Sequence, residues 1–166
     1  FPDNISDCDD TQVIVKAIQE MPDVIDIKAA GTAMRFLTAY LSVTPGEHII
    51  TGTERMKHRP IGILVNALRH LGADIEYLEE EGFPPLHIKG SELKGGELEL
   101  SGNVSSQYIS ALLMIGPALK NGLKLKLTGD IISRPYIDLT LCTMREFGAK
   151  VEWSDIDTVS VEPQPY

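Results

Sequence analysis

Two stretches of this chain are apolar on almost every side of a helix, Thr32 to Val43 and Ser106 to Lys120. A helix without a polar face is one buried all round, so these two are predicted to form the centre of the core. Other segments alternate. Leu123, Leu125 and Leu127 are separated by Lys124 and Lys126, the period of a strand with one wet face. A third pattern is amphipathic: Ile61, Leu64, Val65, Leu68 and Leu71 recur at helical spacing, with Pro60 in the predicted first turn and Gly72 as a left-handed cap. Asp9 to Glu20 reads as a further amphipathic helix, its two leading aspartates favourable at the N-terminus.

These patterns occur twice. Thr51-Gly52 answers Thr128-Gly129, Arg59-Pro60 answers Arg134-Pro135, and Leu71 to Tyr77 answers Phe147 to Trp153, at an offset drifting from 74 to 77. Each copy reads as β-α-β-α-β-β. In the first the predicted elements are Val24–Lys28, Thr32–Val43, Glu47–Thr51, the amphipathic helix, Asp74–Glu79 and Leu86–Lys89. In the second they are Glu97–Ser101, Ser106–Lys120, Leu123–Thr128, a helix carrying Ile137, Leu141, Met144 and Phe147, then Val151–Ser154 and Thr158–Glu162. The expected organisation is one domain over 1–166: repeat units at 24–90 and 96–166, and a remnant of an earlier unit at 1–23. Buried helices with half-wet strands imply an α/β fold turned inside out, helices within and sheets outside.

Composition narrows the function. Lys and Arg number 15 against 24 Asp and Glu, a formal net charge of −9, so the protein as a whole repels a phosphate backbone and bulk nucleic-acid binding is not expected. Ala111 to Leu119 is far too short to span a bilayer, so no membrane partner is expected either. The 2 cysteines, Cys8 and Cys142, fall in no metal spacing and suit a reducing cytosol. A chain opening on Phe1 without a signal peptide reads as a fragment or a processed product.

Within this acidic chain, Arg55-Met56-Lys57-His58-Arg59 is a basic cluster between a strand end and a helix start. A solvated loop and an anion site both fit it. Arginine binds carboxylate or phosphate in a fork, and a helix N-terminus adds a favourable dipole. Gly31-Thr32, Ser105-Ser106-Gln107 and Ser133-Arg134 also precede helices, as simple N-caps or as hydroxyls and amides for a ligand. Pseudo-symmetry would gather these helix starts at one end. Arg35, one turn into an otherwise apolar helix, needs an acid, a carbonyl or a ligand. Tyr136 offers a ring face and a hydroxyl, or ordinary core packing. Asp138 and Cys142 have no motif around them, and there is no P-loop, nucleophile elbow or metal cluster in the sequence.

Ala30 to Arg35, Arg55 to Ile61, Ser105 to Tyr108 and Ser133 to Asp138 resemble, in that order, four motifs of the EPSP synthase (3-phosphoshikimate 1-carboxyvinyltransferase) family. The resemblance implies two inside-out α/β domains of three such units each, of which this chain is most of the N-terminal one. It implies transfer of the enolpyruvyl group of phosphoenolpyruvate to the 5-hydroxyl of shikimate 3-phosphate, in aromatic amino-acid biosynthesis, without cofactor or metal. By position in the motifs, Ser105, Ser106, Gln107, Ser133 and Tyr136 are expected to hold shikimate 3-phosphate. Gly31, Arg55 and Gln107 are expected to face phosphoenolpyruvate, the Gly31 backbone also lying against the herbicide glyphosate, while Thr32, Arg35, Lys57 and Arg59 support them. No catalytic acid or base is expected in the chain. The partner would be the second domain of the same polypeptide, in a cytoplasmic monomer, and the chain alone is expected to be inactive. Ala29 stands where the family usually has Asn, Phe36 where Pro is common, and His58 where Glu is common. UDP-N-acetylglucosamine enolpyruvyl transferase, which uses a loop cysteine, is the nearest alternative, and a non-enzymatic phosphate-binding repeat module is the alternative of another class.

Overall fold

The computed structural model describes residues 3–166. Two four-stranded sheets of identical topology carry the fold. In the first, β1 (Val24–Asp26) pairs parallel with β2 (Gly46–Thr51), which pairs antiparallel with β4 (Leu86–Gly90), which pairs antiparallel with β3 (Asp74–Tyr77). In the second, β5 (Gly96–Ser101), β6 (Leu123–Thr128), β8 (Thr158–Val161) and β7 (Val151–Trp153) repeat that order and those directions. The sheets alternate as the sequence requires: Leu123, Leu125 and Leu127 are buried, and Lys124 and Lys126 face solvent.

The helices lie inside. α2 (Gly31–Val43) buries Ala33, Met34, Leu37, Thr38, Ala39, Leu41 and Ser42, and α5 (Ser106–Ile115) buries Tyr108 through Leu113 together with Ile115. These two helices pack on each other, with α1 (Asp9–Glu20) against α2 and α6 (Arg134–Glu146) against α5. The two hydroxyls on the buried face of α2 are satisfied locally. Thr38 donates to the Met34 carbonyl at 2.6 Å and Ser42 to the Thr38 carbonyl at 2.7 Å, so neither hydroxyl is left without a partner in the core.

Several boundaries differ from expectation. The second buried helix stops at Ile115 and tightens into a 3-10 turn over Gly116–Ala118, because Pro117 has no N–H to continue the α ladder. Pro60 and Ile61 precede α4 (Gly62–His70) rather than forming its first turn; the Ile61 N–H donates to the Gly82 carbonyl instead. The basic cluster is not a plain loop: Thr53 caps a one-turn helix α3 (Glu54–Lys57). Phe147, expected to match buried Leu71, is 70% exposed. The linker residue Leu93 runs beside Gly72 and is buried there, whereas the end of α6 is met by Gln164, whose side chain donates to the Gly148 carbonyl.

Candidate functional site

Each sheet has one parallel strand pair, and the loops leaving those pairs lead into helices. Between the ladders they are tied together: the Thr53 N–H donates to the Lys28 carbonyl at 3.0 Å, and the Ile132 N–H to the Gly102 carbonyl at 3.3 Å. Gly52 and Gly102 permit these crossings. A Cβ on Gly52 would stand 2.5 Å from the Lys28 oxygen, and one on Gly102 would stand 2.8 Å from the Asp130 oxygen. The starts of α2 and α3 are therefore neighbours, as are those of α5 and α6. Ser110 Oγ and Thr140 Oγ1, 2.7 Å apart, hold α5 and α6 side by side below their first turns.

Gln107 joins the two halves. Its side-chain Nε2 donates to Thr32 Oγ1 at 2.9 Å, and its Oε1 accepts from Arg35 Nη1 at 2.7 Å. Both ends of the amide are thus fixed, across 72 and 75 residues of sequence, between the first turns of α2 and α5. The Arg35 guanidinium also lies over the Tyr108 ring, 5.1 Å from its centre, and the Tyr108 hydroxyl donates to the Pro60 carbonyl at 2.8 Å. That last bond anchors the segment carrying Arg59. Arg35 reaches an amide carbonyl rather than an acid, and its buried Nε has no partner.

A second guanidinium completes the site. A Cβ placed on Gly31 would come 3.0 Å from Arg59 Cζ and 3.1 Å from Arg35 Nη1, so both arginines converge on the bare backbone at the start of α2. Among the described residues Arg35, Arg55 and Arg59 have no carboxylate within ion-pair distance. In a chain with a net charge of −9, unpaired arginines beside a helix N-terminus leave a local positive field, the arrangement that attracts an anion. Lys57 differs. It sits 3.4 Å from Glu79 and 3.4 Å from Glu54, and hydrogen bonding to Glu79 and then Glu54 raises its pKa. Its charge is already answered by these two carboxylates.

The other expected residues fall on the same rim. Ser105 is the N-cap of α5 and its hydroxyl accepts from the Gln107 N–H at 3.3 Å; Ser106 opens the helix. Ser133 occupies the N-cap position of α6, yet its side chain makes no capping bond, leaving the hydroxyl uncommitted. Tyr136 is 65% exposed, so ordinary core packing does not explain it. Within the basic cluster, Arg59 rather than Arg55 supplies the guanidinium nearest Gly31; Arg55 stands exposed on α3. Motif position alone puts Arg59 among the supporting residues, because in sequence the cluster looks like one loop. The sorting detail is where the one-turn helix ends: Arg55 is carried on α3, whereas Arg59 lies beyond its C-cap His58, in the segment anchored by the Tyr108–Pro60 bond.

Gly31 offers a direct test of this geometry. Gly31→Ala would push the flexible Arg59 guanidinium aside without strain on the backbone, since no positive φ is required there. The expected result is a roughly tenfold loss of affinity for a small anion at this site, about 1.4 kcal/mol, with the melting temperature unchanged; an unaltered anion titration would separate Arg59 from the site.

Comparison with known proteins shows the family of the chain. The profile of the family described as EPSP synthase (3-phosphoshikimate 1-carboxyvinyltransferase) matches residues 4–166. A 3-phosphoshikimate 1-carboxyvinyltransferase of Bacteroides fragilis is 70% identical over 165 residues, covering 99% of this chain and 40% of that protein. One from Shewanella halifaxensis is 48% identical over 134 residues, 81% of this chain and 32% of the relative. The EPSP synthase structure from Acinetobacter baumannii superposes with a TM-score of 0.72 at 26% identity, over 86% of this chain and 31% of that one. The chain thus spans about 40% of the length of the Bacteroides relative and less of the others.

Proposed function

This chain belongs to the EPSP synthase family, and from that premise we propose that it forms the half of an enolpyruvyl transferase that seats shikimate 3-phosphate and one side of phosphoenolpyruvate. One observation carries the reading: Arg35 and Arg59 converge without acidic partners on Gly31, at the same end of the fold as the serines that open α5 and α6. An anion with both a carboxylate and a phosphate is the natural ligand for two guanidiniums beside a helix N-terminus. Arg59 and Arg35 face phosphoenolpyruvate in this reading, with Arg55 as an outer cation. Ser105, Ser106 and the uncommitted Ser133 hydroxyl take the phosphate of shikimate 3-phosphate, and exposed Tyr136 lies along its ring.

Gln107 sits between the two substrates. Because its amide is held at both ends, it fixes how far apart the two subsites are, and orientation of this kind is a large part of what a two-substrate enzyme supplies. No side chain gathered in the site is a carboxylate or an imidazole. The chain binds and orients; proton transfer to the methylene carbon and from the attacking hydroxyl belongs to another part of the enzyme. We further read residues 1–166 as one domain, with units at 24–90 and 96–166 and α1 left from a further unit. None of the described helices is long and apolar enough to cross a membrane, and the 2 exposed free cysteines suit the reducing cytoplasm, where the complete enzyme would act as a monomer.

The serines and helix starts all come from this chain, so the chain alone should keep a weak phosphate site. Shikimate 3-phosphate is expected to shift the amide signals of Ser105, Ser106 and Ser133 at about millimolar concentration. Unphosphorylated shikimate should leave them in place, and Ser106→Ala should flatten the titration. Equal shifts with both compounds would show that the phosphate is seated elsewhere.

A further inference from the structure

The two repeats place an arginine before a proline at the same point, Arg59-Pro60 and Arg134-Pro135, yet the two side chains go different ways. Arg59 turns toward Gly31. Arg134, the first residue of α6, turns toward the β7–β8 hairpin. Its guanidinium stacks on the indole of Trp153, 4.0 Å from the ring centre, and its Nη2 donates to the carbonyl of Ile156 in the hairpin turn. One turn further along α6, Asp138 Oδ1 accepts from the Trp153 indole N–H at 2.7 Å. Arg134 and Asp138 are four residues apart and so share one face of the helix, and between them they hold one indole by its face and by its N–H. The first copy has no such clamp: its Tyr77, in the place of Trp153, lies under Arg69 from the far end of α4.

The clamp spans the first turn of α6, the turn that presents Ser133 and Tyr136. Ser133 makes no capping bond of its own; the Ile132–Gly102 and Ser110–Thr140 contacts tie the start of α6 to α5, and the clamp ties it to the hairpin. We propose that Arg134 is a positioning residue, which, with Trp153 and Asp138, locks the start of α6 to the β7–β8 hairpin and so sets where Ser133 and Tyr136 meet the phosphorylated substrate. This role rests on the assignment of Ser133 and Tyr136 to shikimate 3-phosphate, and it belongs to a residue that does not touch the ligand. A cation stacked on an indole and also bonded to a carbonyl uses the planar fork of arginine, which lysine lacks.

Trp153 is the chain's single tryptophan, so its emission reports the clamp directly. In the 166-residue chain titrated with shikimate 3-phosphate, the Trp153 emission is expected to change with the same midpoint as the Ser133 amide shift. Arg134→Ala should weaken binding about tenfold, within the range that misplacement of a binding group produces. It should also abolish the Ser133 shift and the emission change while the Ser105 and Ser106 shifts survive at higher ligand concentration. Arg134→Lys should recover only part of the loss. If Arg134→Ala does not fold, Trp153→Leu removes the same clamp from the other side and should lose the Ser133 shift in the same way. Wild-type binding that shifts Ser105 and Ser106, with an unchanged titration in the clamp variant that folds, would overturn the positioning role alone. Absence of any serine shift in the wild type would overturn the substrate assignment and the positioning role with it.

Discussion

Purified as 166 residues, the chain is expected to release no phosphate from phosphoenolpyruvate in the presence of shikimate 3-phosphate. Enolpyruvyl transfer needs a proton delivered to the methylene carbon of phosphoenolpyruvate and another removed from the attacking hydroxyl; a proton is then taken from the methyl group so formed and one is given to the leaving phosphate. The gathered site holds Gly31, Thr32, Arg35, Arg59, Gln107 and the serines, among which there is no carboxylate, imidazole or thiol to serve as a general acid or base. The site is also open. Charge stabilisation is strongest where water is excluded, and an exposed rim with Tyr136 65% accessible does not exclude it. The check is a phosphate-release assay run at high protein concentration beside a full-length relative. Turnover above the uncatalysed background would show that this chain holds an acid and base of its own.

In the longer enzyme that we propose this chain belongs to, Arg59→Ala is expected to be the most damaging single substitution in the basic cluster. Losing a charge-assisted hydrogen bond to an anion costs on the order of 1.5–3 kcal/mol, which is about 10- to 100-fold in kcat/KM. The loss should appear chiefly in KM for phosphoenolpyruvate, while KM for shikimate 3-phosphate moves little. Stability should hardly change, because Arg59 is exposed and has no ion-pair partner among the described residues. Arg55→Ala should be several-fold milder, since its guanidinium stands off Gly31. Steady-state kinetics on both variants decides the matter: a larger effect at Arg55 than at Arg59 would reverse the assignment of the two arginines.

Much of the fold is legible in the chain before any folding is considered. Apolar residues all around two segments demand two buried helices, and α2 and α5 are those helices. The alternation Leu123-Lys124-Leu125-Lys126-Leu127 decides which face of β6 is wet. The order of matching motifs implies two copies, and the two sheets share one strand order. Periodicity and repetition succeed here because both are local: they record which side of an element meets the core. The same locality explains the failures. Phe147 repeats Leu71 in sequence, but exposure depends on what crosses the end of the helix, and Leu93 crosses only the first.

The sequence by itself determined the elements, their apolar faces, the doubling of the unit and the residue types from which an anion site can be made. The tertiary structure alone decided which of those residues meet. Gln107 bonded to Thr32 and Arg35 across more than seventy residues, Arg59 in place of Arg55 over Gly31, and Arg134 diverted onto Trp153 are all outcomes of how helix starts from different units are brought together. No local pattern encodes such meetings. A side chain's neighbour across the fold depends on the crossing of loops and the packing of helices, and these are set by the whole core at once rather than by the few residues on either side.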